Sequence, residues 1–145
     1  MISRVFITSD HAGFSMKQWL IEKSMNQLDL NLIDLGANSP ESCHYPIFAK
    51  KLSNNMLQAE GAYGILICST GIGMAIAANR HKWIRAALCF NEKMAELSRR
   101  HNDANVIVFG ASVIDSKTAL SCLRAFLDTP FDGGRHRERL ELIDG

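Results

Sequence analysis

The sequence predicts an α/β fold: a parallel sheet with helices packed on both faces. Three observations carry this. Short apolar runs and segments of helical period alternate five times along the 145 residues. The runs are apolar on both faces, as strands buried from both sides are. No hairpin turn signal joins one run to the next, so the connections are crossovers, and right-handed ones. Taken in order, Val5-Phe6-Ile7 is a strand that ends at Thr8-Ser9-Asp10. Met16 to Met25 has helical spacing, with Met16, Trp19, Leu20 and Met25 apolar and Lys17, Glu22 and Lys23 polar. Leu30 to Leu35 is strand-like and stops at Gly36. Pro46 suits the first position of a helix running to about Glu60. Gly64 to Cys68 is a buried strand, followed by Gly71, Gly73 and a helix from Met74 to Asn79. Arg85 to Phe90 is strand-like, and Asn91 can cap a helix through about His101. Val106 to Phe109 is a strand closed by Gly110. Ser116 to Leu127 is an amphipathic helix, and Arg135 to Ile143 is helical after the Gly133-Gly134 hinge.

Composition removes several classes. Lys and Arg total 16 against 15 Asp and Glu, a net charge of +1, so a nucleic-acid binder relying on bulk positive charge is not expected. The chain is 47% hydrophobic and 21% charged, an ordinary globular balance that excludes disorder, collagen and coiled coil. No apolar run nears the ~20 residues of a membrane span. The segment from Met1 to Asp10 is too short for a signal peptide. The expectation is one cytoplasmic domain over residues 1–145, with a helical tail over 135–145. Cys43, Cys68, Cys89 and Cys122 form no CxxC, so in a reducing compartment they are free thiols. Cys89 and Cys122 fit the ordinary role of small buried hydrophobes.

In a parallel sheet flanked by helices the ligand lies beyond the carboxyl ends of the strands. That singles out Asp10-His11, Cys68 to Gly73, Phe90-Asn91, and Gly110 to Ser112. The sharpest is Cys68-Ser69-Thr70-Gly71-Ile72-Gly73, at a strand-to-helix turn. Two glycines allow close backbone approach, and the helix start favours an anion and a thiolate. The same residues also fit a plain glycine turn with a buried Cys. Ile76 breaks the dinucleotide fingerprint, no Gly-Lys-Ser/Thr is present, and Met74-Ala75 stand where a phosphatase loop needs Arg. The five histidines never fall at the i, i+4 spacing of a helical metal pair, so no metal or cofactor is indicated. Arg135 and Arg139 share a helical face suited to a phosphate or carboxylate. Balanced by Glu138, Glu141 and Asp144, they equally fit a solvated face.

Together these pieces resemble one family. Asp10-His11-Ala12-Gly13-Phe14, the Cys68–Gly73 segment, Ala77-Ala78-Asn79-Arg80, Arg85-Ala86, His101-Asn102-Asp103-Ala104-Asn105-Val106 and Gly133-Gly134-Arg135-His136 are similar, in this order, to the type B ribose-5-phosphate isomerases. The family includes allose- and galactose-6-phosphate isomerases. The resemblance runs from Val5 to about Ile143. It implies a three-layer α/β/α Rossmann-like sandwich with a five-stranded parallel sheet, and aldose–ketose isomerisation without metal or cofactor. It also implies a homodimer or dimer of dimers whose subunits share active sites. By the same resemblance Cys68 is the base, because Met74 stands where another branch has Glu. Thr70 and His101 open the sugar ring, and Asp10 meets the hydroxyls. The backbone of Ser69, Gly71, Ile72 and Gly73, assisted by Asn102, holds the enediolate. His11, Arg135 and Arg139 hold the phosphate, and Tyr45 is a sugar-facing candidate. Two departures stand out: Ser112 occupies the place of an Arg found in many members, and no acidic residue adjoins Tyr45-Pro46.

The expected function is interconversion of ribose 5-phosphate and ribulose 5-phosphate. A six-carbon sugar phosphate is the near alternative. A non-catalytic sugar-phosphate sensor would need no base, and a cysteine hydrolase would use Cys68 as nucleophile.

Overall fold

The computed structural model describes residues 4–144; Met1 to Ser3, part of the segment weighed as a signal peptide, and Gly145, the last residue of the expected tail, lie outside them. Along the chain run β1 (Val5–Ser9), α1 (Phe14–Leu28), β2 (Ile33–Asp34), α2 (Tyr45–Leu57), β3 (Tyr63–Cys68) and α3 (Ile72–Ala78). β4 (Ala86–Leu88), α4 (Glu92–Asn102), β5 (Val106–Gly110), α5 (Ser116–Asp128) and α6 (Arg135–Glu141) follow. The strands form one sheet in the order β2-β1-β3-β5-β4. Every pairing is parallel. No helix among the described residues is long and apolar enough to cross a membrane.

The two-residue period of the strands splits the core into two layers. Val5, Ile7, Ile65, Ile67, Ile107 and Phe109 pack with Met16, Leu20, Ala95, Leu123 and Phe126, so α1, α4 and α5 cover one face. Phe6, Leu66, Cys68, Val106 and Val108 pack with Ala49, Leu52, Met74 and Ala78, so α2 and α3 cover the other. The side chain of Cys68 therefore belongs to the α2–α3 layer. The helix starts carry the caps the sequence offers: Asn91 Oδ1 accepts from the Met94 N–H at 2.9 Å and Asp115 Oδ1 from Thr118 at 2.8 Å. Pro46 lies in the first turn of α2.

Several expectations need correcting. The Leu30–Leu35 strand shrinks to two exposed residues, Ile33 and Asp34, because it is an edge strand paired only to β1. α3 starts at Ile72, not Met74, and α2 ends at Leu57, short of Glu60. Lys17 is not on a polar face. It is fully buried, with Nζ donating to Asp34 Oδ1 and Oδ2 at 2.9 Å, while Met25 is exposed. Asp34 also accepts from the Gly36 N–H at 2.9 Å, so this pair ties α1 to the edge strand. Asp34→Ala leaves a buried ammonium without its carboxylate. The expected loss is about 2–3 kcal/mol in denaturant unfolding, below the full range for buried pairs because Asp34 is partly exposed. Lys17→Met, which removes the charge as well, is expected to cost less.

Candidate active site

The strand order reverses direction between β1 and β3, and in such sheets the carboxyl ends at that point border the ligand crevice. Asp10 and Cys68 stand at those two ends. Asp10 is buried, donates its N–H to Ile67 O at 3.2 Å, and accepts the Gly13 N–H at 3.1 Å through Oδ1. Its carboxylate is thus anchored at the start of α1. His11 follows, partly exposed; its Nδ1 accepts from the Cys43 N–H at 3.2 Å, with Cys43 Sγ 3.9 Å away. A backbone donor at Nδ1 leaves the Nε2 edge to donate.

Cys68 ends β3, 5% exposed, and its Sγ accepts the Gly71 N–H at 3.2 Å. That contact requires the chain to reverse sharply. Gly71 does so at φ 82°, a left-handed conformation that a side chain would strain. A donated N–H at the sulfur complements negative charge there. Thr70 Oγ1 accepts the Ile72 N–H at 3.2 Å. Two of the amides that the family resemblance assigns to the enediolate, those of Gly71 and Ile72, thus make contacts within the loop. Gly73 is needed for a different reason: a Cβ there would lie 2.6 Å from the Tyr45 ring. Tyr45, at the start of α2, therefore packs directly on the loop. Met74 is fully buried in the core and offers no proton-transfer group.

The loop is also tied to β5. The Ala111 N–H donates to Cys68 O and the Ser112 N–H to Ser69 O, both at 2.9 Å. Ser112 Oγ donates to the same Ser69 carbonyl at 2.7 Å, and Ser69 Oγ donates to Ser112 Oγ at 3.2 Å. The serine at the variant position thus serves as a short clamp on the cysteine loop.

The remaining candidates lie elsewhere. His101 and Asn102 finish α4, just before β5 begins, so they sit at the amino end of the sheet. α4 also packs on the face opposite the Cys68 side chain. His101 stacks on His136, the ring centroids 4.3 Å apart and 12° from parallel. This brings α6, with Arg135 and Arg139 exposed, alongside α4. Partial burial, then His101 and the nearby arginines, holds His136 below the usual imidazole range, with Asp132 opposing. A cavity of about 620 Å³ opens beside this end, lined by Arg80, Arg85, Asn102 and Leu140 among others. Within one chain the fold thus gathers Asp10, His11, Tyr45 and Cys68 to Gly73 at one end. It places His101, Asn102, Arg135 and Arg139 at the other.

Some neighbours prove structural. Arg99, in the last turn of α4, is one of them. It is buried, with Nη1 on Asp103 Oδ1 at 2.8 Å and on Ala104 O at 2.6 Å. Arg85 Nε donates to Asp103 O at 2.8 Å, and Asn105 Oδ1 accepts the Arg85 N–H at 2.8 Å. Asp103 and Asn105 therefore shape the turn that presents His101 and Asn102. Burial pushes the Cys89 thiol up to about 12, helped by nearby Cys122, and the Cys122 thiol up to about 11. Both are inert thiols, as expected of small buried hydrophobes. Sequence spacing missed the approach of Asp132 and His136 to His101, because the three come from separate elements.

The chain is similar to known proteins in both sequence and fold. The family model described as Ribose/Galactose Isomerase matches residues 5–143. A putative sugar phosphate isomerase of Rickettsia bellii is 46% identical over 140 residues, 97% of this chain and 96% of that one. The crystal structure of a ribose 5-phosphate isomerase from Thermotoga maritima superposes with a TM-score of 0.92 at 44% identity, covering 97% of both chains. The Mycoplasma genitalium ribose-5-phosphate isomerase B, solved with bound ribulose-5-phosphate, has a TM-score of 0.92 at 35% identity, covering 99% of this chain and 95% of that one.

Proposed function

The chain belongs to the ribose/galactose isomerase family, and from that premise we propose that it interconverts ribose 5-phosphate and ribulose 5-phosphate with Cys68 as the base. The observation that carries this reading is the Gly71 N–H donated to Cys68 Sγ, with Asp10 at the neighbouring strand end. The sulfur takes the proton from C2 of the open aldose, and the electron pair passes into an enediolate. The thiol then delivers a proton, partly exchanged with solvent, to C1 while a hydroxyl proton passes from O2 to O1, giving the ketose. Such a base contributes typically 10²–10⁴-fold, and oxyanion donors a further 10²–10³ each. Ring opening needs an acid and a base on the sugar oxygens, the roles of Thr70 and His101. Asp10 and Tyr45 contact the hydroxyls, and Ser69, Gly71, Ile72, Gly73 and Asn102 surround the enediolate.

Because His101, Asn102, Arg135 and Arg139 lie at the other end and face, the complete site takes Cys68 from one protomer and these residues from a second copy. Ile72 and Ile76, four apart on α3 beside the loop, are both 55% exposed and supply an apolar face for that contact. Mixing of inactive variants, described in the Discussion, tests this arrangement. Ketose formation from ribose 5-phosphate, measured with chelator present, tests the activity itself. Failure to convert any aldose phosphate would overturn it.

A second reading, isomerisation of a six-carbon sugar phosphate, is favoured by Ser112. Its hydroxyl is turned onto Ser69 and supplies no charge, so a longer substrate meets a short neutral side chain. Parallel assays on allose 6-phosphate, galactose 6-phosphate and ribose 5-phosphate decide between the two by kcat/KM.

Two further outcomes are expected. Arg135→Ala and Arg139→Ala each raise KM about ten- to a hundredfold, the equivalent of losing one charged hydrogen bond to phosphate. Unchanged kinetics in both would return them to solvent. Thiol alkylation inactivates the enzyme through Cys68, and substrate protects it. Cys89 and Cys122 stay protonated and buried, so Cys43 is the competing target that peptide mapping must exclude.

A further inference from the structure

We propose that His101, Asp132 and His136 form a binding site for a divalent transition-metal ion of the zinc class where α4 meets α6. One ligand atom from each lies within 4.8 Å of the others, and this is the one such cluster among the described residues. Two imidazoles and a carboxylate with an open fourth position form a donor set suited to zinc rather than to magnesium or calcium. Metal–ligand bonds of about 2.0–2.2 Å bring donors to roughly 3.3 Å from one another, so the cluster needs only a small closure. The two rings are stacked 12° from parallel, so a shared ion requires them to turn out of the stack about their side-chain bonds.

The surroundings support a cation in two ways. His101 lies in the last turn of α4, where the helix carbonyls favour positive charge. The Asp132 carboxylate is already oriented: Arg100 Nε donates to its two oxygens at 3.2 and 3.3 Å, and the Asp132 N–H donates to Arg100 O at 3.0 Å. Arg100 is in turn held by Glu96 at 3.3 Å. A carboxylate fixed by an outer partner is a common feature of metal sites. Arg135, Arg137 and Arg139 oppose a second cation and weaken its binding.

Occupancy would withdraw the His101 imidazole from the sugar. This consequence, unlike the site, rests on the role of His101 proposed above. The test is titration of the full chain with zinc chloride against a chromophoric chelator, and with Co²⁺ followed by visible absorption. The wild type is expected to bind one ion per chain, as are Cys43→Ser and Cys68→Ser. Asp132→Asn and His136→Gln are expected to bind at least tenfold more weakly, in the range usual for disturbed metal shells, and to lose the Co²⁺ band. No binding by the wild type at micromolar free ion overturns the site, as does unaltered binding in both variants. Zinc is also expected to inhibit turnover reversibly, with at least tenfold less potency on Asp132→Asn. Binding as described without inhibition upholds the site and overturns the role of His101 in ring opening.

Discussion

Cys68→Ala is expected to lower turnover by about 10²–10⁴-fold or more, the contribution of a positioned general base, while a non-reacting sugar-phosphate analogue binds nearly as before. The split follows from the geometry. Cys68 is held at the end of β3 by the Gly71 N–H, and Met74, the other position that could bear a base, is closed inside the core. The arginines proposed to hold phosphate belong to α6 and are not disturbed. Folding should survive, since a buried Cys and Ala differ little in shape, and a matched unfolding curve checks this. Exchange of solvent hydrogen into recovered substrate should fall in step with turnover, because both need the enediolate. A variant that keeps near-normal turnover would assign the proton transfer to another group.

Mixing Cys68→Ala chains with His101→Ala chains is expected to restore about a quarter of wild-type activity from two nearly inactive parents. Random reassortment makes about half the dimers mixed, and two-fold symmetry gives each mixed dimer one intact site. The physical basis is separation. Cys68 lies at the carboxyl end of the sheet with its side chain in the α2–α3 layer, while His101 lies at the amino end on α4 of the opposite layer. β5, which spans between these ends, is five residues long, about 13 Å at the usual strand rise. A group acting on one sugar must lie within hydrogen-bond reach of it. Absence of recovery, with subunit exchange proven by mass, would place His101 beside Cys68 of its own chain.

The elements that carry the fold were legible in the chain because their signals are local. Apolar runs such as Gly64-Ile65-Leu66-Ile67-Cys68 have no polar face to show solvent. Asn91 and Asp115 cap helices through neighbouring amides, and Gly71 marks a reversal that other residues resist. Those signals alone place Asp10, and the turn from Cys68 through Thr70, at strand ends. What remained hidden depends on partners distant in sequence. Lys17 looks like a surface residue of α1 until the edge strand brings Asp34 over it. Arg99 looks like a helix-end complement until the turn through Asp103 and Ala104 wraps around it. Ser112 shows only the absence of an arginine until β5 sets its hydroxyl on the Ser69 carbonyl.

The sequence by itself determined the alternation of strands and helices, the cysteine turn and the family to which its motifs belong. Each of these is a property of neighbouring residues or of their order. Only the tertiary structure decided that the candidate residues divide between two ends and two faces of the sheet. Only it showed that two loop amides are spent on Cys68 Sγ and Thr70 Oγ1, and that His101 and His136 stack with Asp132 beside them. The physical reason is that a crossover reverses the chain direction at every helix, so the residue after a strand and the residue after the next helix finish at opposite ends of the sheet. Local pattern gives the type of each element, and packing alone says which side chains meet.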